Sequence, residues 1–141
     1  MRPDRIIVGE CRGAETLEML QAMNTGHDGS LTTLHANSPE DMIIRLVTMV
    51  RYGFDLPVEV LEENIASAID VAVQTSRSRD GRRFVSAIAE MHRGENSACV
   101  ADPVFTRRSL ESEGVWARAP SWLDDAIDMG FIESEEVASW K

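Results

Sequence analysis

Lysine is nearly missing from this sequence. Of 141 residues 14 are basic, and the only lysine is Lys141, the last; the other thirteen are arginines. No lysine is therefore available within the fold to cradle a phosphate, form a Schiff base or act as a general base. A complete Gly-Lys-Ser/Thr phosphate-binding loop is excluded on that count alone. Cysteine is equally sparse. Cys11 and Cys99 lie far apart with no CxxC partner, which reads as two reduced, partly buried thiols rather than a disulfide framework. Aromatic residues make up 6% of the chain. No run approaches the roughly 18 apolar residues of a membrane span, and the N-terminus has no signal-peptide core. Direct membrane insertion is not expected.

Basic charge is also in deficit. Twenty-four acids against 14 bases leave a net charge of −10, which argues against nucleic acid as a partner, since such binding draws on cationic neutralisation of phosphates. The imbalance is uneven. Residues 1–108 hold 16 acids and 12 arginines, whereas residues 109–141 hold 8 acids against Arg118 and Lys141. The tail is thus the acidic part, suited to solvent or a partner. Arg77, Arg79, Arg82 and Arg83 still form a local group able to hold an anion.

The length fits one domain with a small appendage, and 43% hydrophobic content fits a globular chain. Arg5-Ile6-Ile7-Val8-Gly9 reads as a strand buried on both faces, as in a parallel sheet. Ala14 to Asn24 carries Leu17, Leu20 and Met23 at helical spacing, with Gly26 near the helix stop. Leu31 to Leu34 reads as a second strand. Ser38-Pro39-Glu40-Asp41 opens a helix with a capping hydroxyl, a proline in the first turn and acids beside the positive end of the dipole. That helix should run to about Tyr52, burying Ile43, Leu46, Val47 and Val50. Pro57 opens another, with Val60, Leu61, Ile65 and Ala68 facing inward. This rhythm is that of parallel strands with helical crossovers.

The pattern then changes. Asp70 to Ser76 and Phe84 to Met91 flank Asp80-Gly81, a hairpin signal, and Cys99 to Thr106 reads as a third strand of an antiparallel meander. Ser109 to Gly114 is a polar linker, followed by Val115-Trp116-Ala117. Two short helical segments are expected beyond it, Pro120 to Met129 and Ser134 to Trp140.

Chemistry-bearing residues gather at two places. Glu10 stands just beyond the first strand, where open α/β sheets bind ligands; its alternative role is that of a turn acid capping the following helix. Gly26-His27-Asp28-Gly29-Ser30-Leu31-Thr32-Thr33-Leu34-His35-Ala36-Asn37 sets two histidines, two glycines and a run of hydroxyls around the second strand. Those histidines are open to three readings: a structural pair, a metal site with Asp28, or ligand contacts at the strand's end.

Arg5 to Gly13 resembles the Walker B segment of the type II/IV secretion ATPase family, and Gly26 to Asn37 resembles that family's histidine box. Met19 to Gly29 is similar to the CpaF branch, which assembles Flp/tight-adherence pili. The same holds for Ile65 to Asp70 and for Gln74-x-x-Arg77-x-x-Asp80-Gly81-x-Arg83. The resemblance covers about residues 2–106. It implies an α/β fold: part of a RecA-like P-loop core, with parallel strands and helices, then an antiparallel meander, then a small helical tail. The corresponding division is residues 1–108 for the motor portion and 109–141 for an acidic, mostly helical extension.

By resemblance, Glu10 orients or deprotonates the attacking water and helps hold Mg²⁺ through water. His27 and His35 sense the γ-phosphate, and Arg12 supports phosphate or intersubunit contacts. The complete family protein is expected to use ATP and Mg, to work as a hexamer and to meet an inner-membrane platform protein at the cytoplasmic face. Here only five residues precede Ile6, and the Walker A loop is missing. The chain is therefore expected to be a C-terminal portion, arising from a cloned piece, a start assigned at an internal methionine or a truncated gene. On its own it is expected to bind no nucleotide tightly and to be inactive. The alternative is a non-catalytic protein–protein interaction module derived from such an ATPase.

Overall fold

The structure is a computed structural model, and it describes residues 3–137. The chain divides into two compact units. One takes the residues up to Asp70 together with Met91–Ala101; the other takes Val71–Glu90 and the residues from Asp102 onward.

The first unit begins with β1 (Ile7–Val8), α1 (Thr16–Met23), β2 (Leu31–Thr32), α2 (Pro39–Arg51) and α3 (Val58–Ala68). β1 and β2 pair in parallel, Ile7 with Leu31 and Val8 with Thr32. The expected crossover order is therefore present, with α1 as the connection. α2 starts where its local signals place it: the Ser38 hydroxyl accepts a hydrogen bond from Asp41 N at 3.1 Å, and Pro39 occupies the first turn. The helices close on a core of Leu17, Val50 and Leu61, against which Val47 and Leu56 pack. Leu20, Leu46 and Ile65 are fully buried as well.

Three expectations about burial are corrected here. β1 was read as covered on both faces, yet Ile7 is 77% exposed, and its partner Leu31 is 63% exposed. A two-stranded sheet of two residues each has no further strand among the described residues to cover that surface. Val60 points outward at 43% exposure, because Leu61 and Ile65, four apart, take the inner stripe of α3. Met49 of α2, outside the expected stripe, is buried.

The second unit holds β3 (Val71–Arg77), with β4 (Arg83–Arg93) up to Glu90 and β5 (Cys99–Thr106) from Asp102, then β6 (Val115–Trp116) and α4 (Leu123–Asp128). The sheet order is β3-β4-β5-β6. β3 and β4 form the expected hairpin, in register from Val71–Glu90 to Arg77–Arg83, with a bulge between Gln74 and Thr75. Val115-Trp116, left unassigned by pattern, is a strand: it pairs antiparallel with Phe105 and Thr106. The rings of Phe105 and Trp116 meet at 5.2 Å with a 59° tilt, an edge-biased contact of the kind aromatic quadrupoles favour. Gly114 permits this approach, because a Cβ there would stand 2.2 Å from the Phe105 ring. α4 is shorter than the segment expected from Pro120 to Met129. Of the expected helix Ser134 to Trp140, Ser134–Val137 form a turn and the rest lies outside the described residues.

Candidate functional site

The parallel register of β1 and β2 decides what meets at their ends. Both strands point the same way, so the loops beginning at Gly9 and Thr33 leave from one edge. The Thr33 hydroxyl donates to the Gly9 carbonyl at 2.5 Å and ties the two loops together. Before the strands, Leu31 N donates to the Ile6 carbonyl at 3.0 Å and Ile6 N donates to the Ser30 hydroxyl at 2.9 Å.

Glu10, Arg12 and His35 come together on this frame. An Arg12 guanidinium nitrogen lies 2.5 Å from Glu10 Oε1, and His35 Nε2 lies 3.8 Å from Glu10 Oε2. The Glu10 side chain is about one-third exposed and that of His35 is nearly open, so the cluster faces solvent. The hydrogen bond from Arg12 is the main reason the Glu10 carboxyl sits below its ordinary range; slight desolvation opposes it, and the Arg12 and His35 charges reinforce it. Arg12 is held reciprocally in its charged form by Glu10.

Glu15, not Glu10, stands at the N-terminal cap position of α1, and its side chain bonds the preceding loop rather than a helix N–H. Glu15, at the start of α1, turns its carboxylate back to accept from Arg12 N at 2.9 Å and Gly13 N at 3.1 Å. These backbone donors hold its pKa low. Thr16, completely buried, donates its hydroxyl to the Gly13 carbonyl at 2.7 Å. Glu15 and Thr16 thus shape the loop that carries Arg12, and neither was singled out in advance. An acid at a helix start was the available signal.

His27 is engaged elsewhere. Its Nδ1 lies 2.9 Å from the Ala22 carbonyl, near the end of α1. A carbonyl only accepts, so Nδ1 carries the proton and Nε2 is the atom left to meet a ligand. Among the described residues no group of three or more His, Cys, Asp or Glu side chains is placed to hold a metal ion, which leaves the His27–Asp28–His35 reading without geometric support. No helix of the described residues is long and apolar enough to cross a membrane.

An acid at the end of a parallel strand, flanked by arginine and histidine from adjacent loops, stands where open α/β sheets bind ligands. The chain belongs to the family described as Type II/IV secretion system protein, which it matches over residues 1–104. It is similar to a conjugal transfer protein of Mycobacterium tuberculosis, 42% identical over 95 residues that cover 67% of this chain and 27% of the relative. The type IV secretion system protein VirB11 of Brucella abortus is 40% identical over 76 residues, 52% of this chain and 21% of the relative. Among solved structures, the VirB11 ATPase of the Brucella suis type IV secretion system, in complex with sulphate, superposes with a TM-score of 0.60 at 33% identity. That match covers 64% of this chain and 28% of that one. The chain spans about a quarter of the length of the first of these relatives. Its fold class is accordingly α/β, the partial RecA-like core expected from the two motifs.

Proposed function

We propose that this chain is the water-activating and phosphate-sensing portion of a secretion ATPase. In the complete protein it would help couple ATP hydrolysis to the export of pilin or other proteins. The observation that carries this reading is the convergence of Arg12 and His35 on Glu10, at 2.5 and 3.8 Å, beyond the end of β1. Membership of the secretion family and the likeness to a VirB11 ATPase support it.

The residues fit MgATP at one end only. A partly exposed carboxylate suits water-mediated contact with Mg²⁺, and Arg12, His35 and His27 Nε2 suit phosphate oxygens. The sequence holds no Gly-Lys-Ser/Thr loop for the remaining phosphates. MgATP, when bound in the complete protein, supplies the electrophilic phosphorus and the leaving group. Glu10 receives a hydrogen bond from the attacking water and orients it. While Arg12 is paired with it, Glu10 is a weak base, so orientation precedes proton uptake, and Arg12 leaves Glu10 for a phosphate oxygen as the site fills. His35, beside the same carboxylate, registers that exchange of partners.

In the complete protein, Glu10→Gln should retain nucleotide binding and lose turnover by about 10²-fold or more. The 141-residue chain alone should bind ATP and Mg weakly and show negligible hydrolysis. Magnesium-dependent turnover by the purified chain, abolished by Glu10→Gln, would overturn that second statement. The finer assignment follows the CpaF-like stretches: a hexameric pilus-assembly ATPase, peripheral at the cytoplasmic face of the inner membrane and working against a platform protein. The exposed Ile7 and Leu31 favour a second reading, in which the chain is a non-catalytic interaction module. Co-purification with a complete ATPase or a platform protein, without any effect of Glu10→Gln on the assembly's activity, would select it.

A further inference from the structure

Six of the thirteen arginines fall in two short stretches of the second unit: Arg77, Arg79, Arg82 and Arg83 around the hairpin turn, and Arg107 and Arg108 after β5. A chain of net charge −10 needs no such concentration of cations for solubility. The turn and the segment after β5 border a cavity of about 620 Å³. Arg77, Arg79 and Arg108 line it, with Phe84, Asp80 and Glu111.

The two carboxylates leave these arginines uncompensated, because both turn to Arg82, which does not line the cavity. Asp80 Oδ2 lies 2.6 Å from Arg82 Nε, and Glu111 Oε1 lies 3.8 Å from Arg82 Nη2. The other Asp80 oxygen accepts from the Ser78 hydroxyl and from Arg82 N. Among the described residues, Arg79 and Arg108 enter no ion pair and no hydrogen bond.

The walls are fixed before any ligand arrives. Arg77 Nε donates to the Gly81 carbonyl at 3.1 Å. Gly81 sits at φ +89°, and a Cβ there would crowd the Arg77 guanidinium at 3.2 Å. Arg107 donates to the carbonyls of Ser109, Ser112 and Leu110 at 3.0, 2.9 and 2.5 Å, and its guanidinium stands 5.8 Å from the centre of the Phe84 ring. Arg82 and Arg107 therefore serve the scaffold, while Arg79 and Arg108 face the cavity with all their donors available.

We propose that this cavity binds a phosphate-bearing anion, with Arg79 and Arg108 gripping the phosphate oxygens and Arg77 supplying a third contact. The planar guanidinium fork matches phosphate geometry, and two forks lining one cavity suit a group with several charged oxygens. The cavity shares no lining residue with Glu10, Arg12, His27 or His35, and the proposal does not depend on their role.

Two probes distinguish the source of the phosphate. Inorganic pyrophosphate is titrated into the 141-residue chain by calorimetry, and vesicles of phosphatidylglycerol or of phosphatidylcholine are tested by co-flotation. The variants are R79A/R108A, R79K/R108K, and R51A as a control that removes one exposed arginine of α2. Binding of pyrophosphate, or of phosphatidylglycerol vesicles alone, should weaken about tenfold or more in R79A/R108A and persist in R51A. The lysine pair should fall between, keeping charge and losing the fork. Far-UV circular dichroism checks the fold; both arginines are exposed, so the double variant should fold. The proposal is overturned if neither probe binds, if R79A/R108A binds as well as the parent, or if R51A loses as much.

Discussion

Glu90 of β4, buried, pairs with the half-exposed Arg118: an Arg118 guanidinium nitrogen lies 2.5 Å from Glu90 Oε2, and the Glu90 side chain is only 8% exposed. The other carboxylate oxygen accepts from Ser121 N at 2.7 Å and from the Ser121 hydroxyl at 2.9 Å. One side chain of the sheet therefore holds the segment leading into α4. Burial by itself would raise the Glu90 pKa; the two Ser121 donors and Arg118 outweigh it and keep the carboxyl below its ordinary value. Because the folded pKa is depressed, this contribution is complete above the ordinary glutamate value and is lost as pH falls through the lower folded value. Glu90→Ala should cost about 2 kcal/mol. The loss should appear as faster amide exchange in residues 118–128, and unchanged exchange there would refute the link.

Arg12 is the main cause of the low Glu10 pKa, and that can be measured on this chain without nucleotide. Arg12→Ala should move the Glu10 titration upward, followed through the carboxyl ¹³C shift. Arg12→Lys should restore part of the depression by keeping the charge. A Glu10 titration unaltered by Arg12→Ala would mean that the pair does not persist in solution, and the proposed exchange of partners would fall with it.

What was legible in the sequence was local. Ser38-Pro39 announces α2 because capping needs only neighbouring residues, and Asp80-Gly81 announces a turn because glycine accepts the positive φ found there. The place of Glu10 followed from an apolar run ending at Val8. Its meeting with His35 did not, because 25 residues separate them and only the pairing of Val8 with Thr32 aligns their loops. Exposure was the least legible property. Nothing local distinguishes Val60 from Leu61; the neighbours α1 and α2 decide which one faces the core. β6 was invisible for the same reason, since Val115-Trp116 becomes a strand only by pairing with Phe105 and Thr106.

The contrast within α3 is directly testable. Leu61 is fully buried against Leu17 and Val50, whereas Val60 is 43% exposed. Leu61→Ala should cost about 3 kcal/mol in urea unfolding of the first unit. Val60→Ala should cost well under about 1 kcal/mol. Equal losses would place the inner stripe of α3 wrongly.

The cysteines offer a chemical test of the same core. Burial, with Glu62 adding to it, pushes the Cys99 thiol up to about 11, and the Glu62 carboxylate accepts from Cys99 N at 3.1 Å. Burial likewise raises Cys11, whose thiol donates to the Met19 sulfur at 3.3 Å. At pH 8 only about one Cys99 in a thousand is thiolate, and thiolate is the reactive form. An aromatic disulfide reagent should therefore modify the native chain slowly at both positions and the urea-unfolded chain at least about tenfold faster. Peptide mass mapping assigns each site. If either cysteine reacts in the native chain at the unfolded rate, the segment around it is open to solvent and the buried placement is wrong.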